Sequence, residues 1–237
     1  MKILAIDTSA TAASVAVVDD EALVGEFFIN TKITHSQTLV PMIDELCKNI
    51  SMPLNDIDAI AVNAGPGSFT GVRIGVAAAK GLAFPDNKKC VSVSTLESMA
   101  YNLLGNDCIV CAVMDARCAQ VYNALFKITD SGVERICDDR AMSISELSEE
   151  LKQYNEKIIL VGDGAKICYD AFKDVLSNVH IAPINNRFQR AASTAMAALK
   201  YVELNNTMSC AELMPIYLRL PQAQRELNKK RELAEKQ

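Results

Sequence analysis

Apolar runs and helical stripes alternate along this chain in an order that is used twice. Lys2-Ile3-Leu4-Ala5-Ile6-Asp7 is a continuous apolar strand ending in an acid. Residues 13–18 and 23–30 read as a second and third strand, with Asp19-Asp20-Glu21 turning between them. Over residues 38–50, Leu39, Met42, Ile43, Leu46 and Ile50 share one stripe at helical spacing. Pro41 fits that helix only in its first turn, where its missing N–H costs nothing. A strand at 58–63, a helix reaching about residue 84, a strand at 90–94 and a helix at 96–104 follow. The order then restarts. Strands at 107–115, 120–128 and 134–142 precede a helix at 144–154 capped by Ser143 or Ser145. A strand at 157–161, a helix at 165–176, a strand at 179–182 and a helix at 190–204 complete it. Each half reads strand, strand, strand, helix, strand, helix, strand, helix. That predicts a duplicated α/β unit, although no repeat is visible in the residues themselves. The expected organisation is a first half of residues 1–106 plus about 190–221, a second half of 107–189, and a charged tail of 222–237, where Glu226–Lys230 and Glu232–Lys236 are favourable helical pairs.

The junction after residue 63 is unusual. Asn63-Ala64-Gly65-Pro66-Gly67-Ser68-Phe69-Thr70-Gly71-Val72-Arg73-Ile74-Gly75 joins a strand to a helix through a Gly-Pro-Gly turn. Such a turn bends the backbone where side chains would clash and offers N–H groups at a positive helix end. Gly71, Gly75 and Ala79 recur every four residues, so one helix face carries almost no side chain. Each interior glycine costs a helix about 1 kcal/mol relative to alanine, a cost that close approach of another backbone offsets. That backbone belongs either to this protein's own sheet or to a partner helix. The Gly-Lys-Ser/Thr ending of a nucleoside-triphosphatase loop is missing.

Composition narrows the classes. The chain has 237 residues, half of them hydrophobic, with a net charge of −5. That charge argues against a protein whose main affinity is for nucleic-acid phosphates. The start runs directly into a strand rather than an export signal, and no apolar run approaches a membrane span. Eight cysteines then point to a reducing, cytoplasmic setting. Cys108 and Cys111 form a Cys-x-x-Cys, but a strand sends them to opposite faces, so buried small hydrophobes are the preferred reading over a redox or zinc pair. His35 and His180 lie in different halves without a metal-ligating partner or a triad.

Each half places an acid, Asp7 or Asp115, at the carboxyl end of its first strand, where open α/β sheets bind ligands. Duplicated halves of this kind build the actin, sugar-kinase and Hsp70 architecture, which holds ATP between the halves. Such a site needs an acid on each side for magnesium and glycines beside each acid for phosphate. The acids are present; the glycines are not. Asp7 is followed by Thr8-Ser9-Ala10-Thr11 and Asp115 by Ala116-Arg117-Cys118-Ala119. Thr8, Ser9 and Thr11 hydroxyls suit an anion and equally suit a strand turn. The expectation is a vestigial nucleotide cleft at Asp7, Thr8, Ser9 and Asp115.

Asp7-Thr8-Ser9, His35-Ser36-Gln37-Thr38-Leu39, the Gly65–Gly75 string, Met114-Asp115-Ala116-Arg117 and Pro215-Ile216-Tyr217-Leu218-Arg219 together resemble the TsaB (YeaZ) family over about residues 1–220. The family pattern differs at Arg117–Gln120, where it carries a second basic residue and a glycine. The resemblance implies a duplicated actin-like ATPase (RNase H-like) fold, each half a mixed five-stranded sheet with flanking helices. It implies a non-catalytic subunit, without cofactor or metal of its own, that pairs with the TsaD transferase and with the ATPase TsaE to make threonylcarbamoyladenosine in tRNA. ATP and magnesium enter only through those partners, and tRNA contact is indirect or weak. TsaD's paired-histidine metal motif has no counterpart in Ser94-Thr95-Leu96-Glu97-Ser98-Met99. The first two helices are implied as the pairing surface, which puts Leu39, Met42, Ile43, Leu46, Gly71, Val72, Gly75, Val76 and Ala79 at the expected interface. An active small-molecule kinase or ATPase and a self-associating homodimer remain the alternatives.

Overall fold

The structure is a computed structural model that describes residues 1–31 and 33–219; the expected charged tail lies outside the described residues. Strands β1 (Lys2–Asp7), β2 (Ala12–Asp19), β3 (Ala22–Asn30), β4 (Ala59–Gly65) and β5 (Lys89–Ser94) form a mixed sheet in the order β3-β2-β1-β4-β5. The first three strands are antiparallel, and β1, β4 and β5 run parallel. Strands β6 (Cys108–Asp115), β7 (Gln120–Thr129), β8 (Gly132–Arg135), β9 (Arg140–Ser143), β10 (Ile158–Val161) and β11 (Val179–Ile181) form the second sheet, ordered β11-β10-β6-β7-β8 with β9 also on β7. With β8 and β9 counted together as the third strand of the second sheet, the two sheets share one topology, third-second-first-fourth-fifth, which is the duplicated α/β architecture.

The second sheet has six strands rather than five. The expected strand at 134–142 is interrupted, because Ile136 and Cys137 both bond their N–H to the Leu125 carbonyl, at 2.8 and 3.4 Å. Two residues against one break the ladder, and the polar pair Asp138-Asp139 turns away. Asp139 accepts hydrogen bonds from Ser94 Oγ at 2.5 Å and Arg135 Nη1 at 2.7 Å. Arg135 also reaches Glu97, which accepts from Tyr201 as well. These bonds tie β8 and its following loop to the helices between the sheets.

Helices α1 (His35–Asn49) and α2 (Phe69–Ala83) cover one face of the first sheet; α3 (Thr95–Ala100) packs on the second sheet. Helices α4 (Ile144–Leu151) and α5 (Ala165–Phe172) cover the second sheet's outer face. A short helix, α6 (Ile184–Arg187), is not apparent in the hydrophobic pattern, and α7 (Ala191–Glu203) returns to cover the first sheet opposite α1 and α2. Ser68, Ser94 and Ser143 cap α2, α3 and α4, the last through a reciprocal capping box with Glu146. Helix α1 starts at His35, three residues before the expected start at 38, because His35-Ser36-Gln37-Thr38 fill a polar first turn ahead of the apolar stripe. Pro41 therefore sits in the second turn rather than the first, and the helix forgoes one backbone bond there. No helix of the described residues is long and apolar enough to cross a membrane.

The start of α7 is held by a carboxylate. Glu26 on β3, with 5% of its side chain exposed, pairs with Arg190 and accepts the Ala192 N–H at 3.1 Å. Ser14 Oγ donates to Glu26 at 3.1 Å and accepts the Ala191 N–H at 2.8 Å. A buried carboxylate at a positive helix end and a half-buried guanidinium partner act together here. Glu26→Ala leaves two Arg190 N–H groups, the Ala192 N–H and the Ser14 hydroxyl without their acceptor. It is expected to lower stability by about 2 kcal/mol, read as a reduced urea midpoint at unchanged slope.

Candidate ligand cleft and partner face

Loop 8–11 is welded to the start of α2. The Ser68 N–H donates to the Ser9 carbonyl at 2.7 Å, and Thr8 Oγ1 donates to the Gly71 carbonyl at 2.8 Å. A Cβ on Gly71 would lie 2.0 Å from the Thr8 carbonyl oxygen, and one on Gly75 would lie 2.5 Å from Thr8 Oγ1. The small-residue face therefore closes on this protein's own β1 strand. His35 adds a clamp, its Nε2 donating to the Ala10 carbonyl at 2.7 Å.

This corrects the expected interface residues. Leu39, Met42, Ile43 and Leu46 on α1 and Gly71, Val72, Gly75, Val76 and Ala79 on α2 are all buried against the first sheet. They pack on Leu4, Ile6, Val15 and Val17, so their side chains form the protein's own core. The groove read from the glycine spacing is real, and Thr8 fills it. At the edge of that core Cys47 on α1 and Ile74, Ala78 and Leu82 on α2 are only partly covered, and Val40 on α1 is exposed. Between α1, the segment 51–54 and Leu82 lies an apolar groove of about 740 Å³.

The four expected cleft residues are not brought together. Asp7 is 1% exposed and turned inward. It accepts the Ser9 N–H at 2.8 Å, Ser9 Oγ at 2.7 Å and the Asn63 amide. Burial pushes its pKa up, opposed by those three donors. Thr8 is fully buried in the α2 weld. Ser9 and Asp115 do line the cleft between the halves, a space of about 510 Å³. One wall is loop 8–11 and the start of α2; the other is Asp115, Arg117, Tyr122 and Asp163. Asp115 accepts the Arg117 N–H at 2.8 Å and pairs with its guanidinium at 3.4 Å. Arg117, Cys118 and Ala119 all take left-handed backbone angles, with φ of 65°, 55° and 54°, at the stretch where the family pattern carries a glycine. Among the described residues, no three His, Cys, Asp or Glu side chains are grouped to hold a metal ion.

Asp163 was not anticipated. It sits in Gly162-Asp163-Gly164 at the carboxyl end of β10, so the strand-end rule that singled out Asp7 and Asp115 could have found it. Burial pushes its pKa up to about 6, with the nearby Asp115 charge adding to the rise. Gln189 Nε2 donates to it at 3.2 Å.

A carboxyl group whose folded-state pKa exceeds its unfolded value keeps its proton longer in the native protein. Ionising it costs stability as pH rises from about 4 to about 6, and the cost is complete above that. Asp163→Asn is therefore expected to raise stability by about 1–3 kcal/mol at neutral pH, with the gain vanishing near pH 4. Urea melts at both pH values check this, and a gain of equal size at both would contradict it. Gly71→Ala is expected to cost about 1–3 kcal/mol, because its new methyl meets the Thr8 backbone rather than a movable side chain. Thermal melting of the variant reads that loss.

A family model described as "TsaD: tRNA N6-adenosine threonylcarbamoyltransferase" matches residues 26–227. The "tRNA threonylcarbamoyladenosine biosynthesis protein TsaB" of Bacillus subtilis (strain 168) is 32% identical, over 74% of this chain and 77% of its own. The Escherichia coli (strain K12) protein of the same name is 31% identical, over 92% of this chain and 95% of its own. The structure of YeaZ from Pseudomonas aeruginosa superposes with a TM-score of 0.77 at 25% identity, covering 92% of this chain and 99% of that one. The ADPNP-bound activator of the 2-hydroxyisocaproyl-CoA dehydratase from Clostridium difficile shares the fold at a TM-score of 0.53 and 11% identity, over 87% of this chain and 97% of its own. With its duplicated actin-like sheets and this identity over most of its length, the chain belongs to the TsaB (YeaZ) family.

Proposed function

We propose that this chain works in the synthesis of tRNA threonylcarbamoyladenosine as a non-catalytic subunit that pairs with the TsaD transferase. The family supports the role in that synthesis, and the match to a TsaD family model fits a link between the two proteins. The observation that carries the non-catalytic reading is the state of Asp7. Its carboxylate is committed to Ser9 and Asn63 instead of facing the space between the halves. An ATP site of this architecture needs that acid free on the first half's side. The active-kinase alternative is correspondingly disfavoured. ATP and magnesium then act through TsaD and TsaE, in the cytoplasm, and tRNA contact by this subunit is indirect or weak.

The surface offered for pairing is the partly covered edge of α1 and α2. Ile74, Ala78 and Leu82 recur every four residues beside Val40, which is 57% exposed, and the apolar groove continues the patch. This is an apolar patch on two adjacent helices, the kind of surface that a second helix pair buries. The same patch serves self-association when TsaD is absent, and TsaE joins as a further partner.

Gly81 separates pairing from folding. A Cβ there meets nothing within 4 Å, so Gly81→Arg leaves the monomer intact and relieves about 0.8 kcal/mol of helix cost. At the centre of an interface the same side chain is expected to weaken pairing by about 2 kcal/mol or more. Size exclusion with TsaD and reconstituted tRNA modification read the outcome. Undiminished pairing by the folded variant would put the interface elsewhere, and equal modification with and without this chain would remove the subunit role.

A further inference from the structure

Three residues in a row at the rim of the cleft, Arg117, Cys118 and Ala119, are left-handed, and none is a glycine. For an L-residue those angles bring Cβ too close to the following carbonyl oxygen, so they occur as single residues rather than as runs. Such a run persists only where its surroundings over-determine it, and places of that kind are clamps and switches. The turn's own bonds are the Ala116 N–H to the Gln120 carbonyl at 3.0 Å and the Gln120 N–H to the Arg117 carbonyl at 3.2 Å. Two contacts from elsewhere fix its ends. The Ile144 N–H, at the start of α4, donates to the Ala119 carbonyl at 3.1 Å. Arg219 Nη1 donates to the Ala116 carbonyl at 2.9 Å. The same turn places the Arg117 N–H on the Asp115 carboxylate at 2.8 Å.

Arg219 is the far end of a strap that starts on α2. Lys80 Nζ donates to the Ala211 and Leu213 carbonyls at 3.2 and 3.1 Å, and Leu213 is buried in the first-sheet core. Arg73 Nε donates to Tyr217 Oη at 2.7 Å, and Phe69 stacks on the Tyr217 ring. Leu218 then leaves that core and packs on the second, in the cluster that holds Met114, Ala116 and Tyr122. We propose that residues 211–219 couple α2 to the left-handed turn as a two-state switch. With the strap seated, the turn is left-handed and the Arg117 N–H holds Asp115. With the strap lifted, the turn relaxes to right-handed angles and Asp115 is released into the cleft. Two residues take the chain from Tyr217 to Arg219, about 7 Å at full extension, so a shift of α2 reaches Ala116 with little slack. The turn is the bistable element that such coupling needs, because sterics favour its other state and contacts hold this one. The strap is held by Phe69, Arg73 and Lys80 and not by the proposed pairing residues Ile74, Ala78 and Leu82, so the two readings stand or fall separately.

Residue-resolved amide hydrogen exchange, read by NMR on the full chain, tests this. The reporters are the Ala116, Gln120 and Ile144 N–H groups, which bond within or onto the turn. Arg219→Ala cuts the strap at the turn and is expected to lower their protection about tenfold, the loss that follows from one charged hydrogen bond. Arg73→Ala combined with Lys80→Ala cuts the strap only at α2. It is expected to lower the same three severalfold while the β1 amides keep their protection. In an Ala119→Gly background the left-handed angle carries no steric cost, so Arg219→Ala should there lose most of its effect. Unchanged protection at the three reporters in the α2 double variant, with residues 211–217 alone loosened, would overturn the coupling. An equal loss of protection throughout the chain would reduce it to general destabilisation and overturn it as well. So would an Arg219→Ala effect undiminished by Ala119→Gly.

Discussion

The contact between Thr8 and the first two turns of α2 decides what the rest of the first half can be. Its carbonyl occupies the place of a Gly71 side chain, and its hydroxyl bonds the Gly71 carbonyl while filling the place of a Gly75 side chain. A helix that near to a strand end needs glycine at both positions, and the helix bears that cost because the first sheet and α2 then bury one continuous core. Two consequences follow. Loop 8–11 is pinned at the mouth of the cleft, and the flank of α2 beside the weld face, with Ile74, Ala78 and Leu82, is left only partly covered.

The segment after α7 reinforces the weld and links it to the other half. Met208 and Cys90 exchange backbone bonds at 2.8 and 2.9 Å, which adds a short bridge to the edge of the first sheet. The Ile216 N–H then reaches the Ala64 carbonyl at 2.7 Å, and Gly65, with φ of 133°, lets the Ile216 carbonyl come where a side chain would stand. Tyr217 stacks on Phe69 at 4.8 Å and accepts from Arg73 at 2.7 Å. Arg219 finally crosses to donate to the Ala116 carbonyl at 2.9 Å. The Pro215–Arg219 string is thus explained by a strap that holds the glycine turn on one side and the cleft rim on the other.

Much of this was legible in the residues. The strand and helix order follows from period alone, because each sheet is buried on both faces or carries a clean apolar stripe. The doubled order pointed to the duplicated α/β architecture without any sequence repeat. The split of the third strand in the second half was not legible, since it depends on Leu125 accepting two N–H groups, a non-local fact. The orientation of the helix faces was misread for a related reason. Glycine spacing reports that something comes close, and an apolar stripe reports that something covers it; neither says whether the cover belongs to the same chain. Here it does, so the residues with the strongest pattern became core, and the residues at the edge of that core, with a weaker and more mixed pattern, are left partly covered.

The two acids illustrate the same limit at the level of chemistry. A carboxylate at a strand end is available to a ligand only if nothing nearer claims it. Ser9, two residues on, can offer Asp7 both an N–H and a hydroxyl, and Asn63 on the neighbouring strand offers an amide, so Asp7 is satisfied before any ligand arrives. Asp115 has Arg117 two residues on, but that side chain reaches out to solvent and leaves the carboxylate partly open. Asp163 is followed by a glycine, which carries no side chain to claim it, and Gln189 is the side-chain donor it has among the described residues, in the face of a second carboxylate. The residue after an acid is therefore as informative as the acid itself. In this fold it shifts the free negative charge from both sides of the cleft to the second half alone, and that asymmetry is what distinguishes the space from a site that clamps magnesium between two halves.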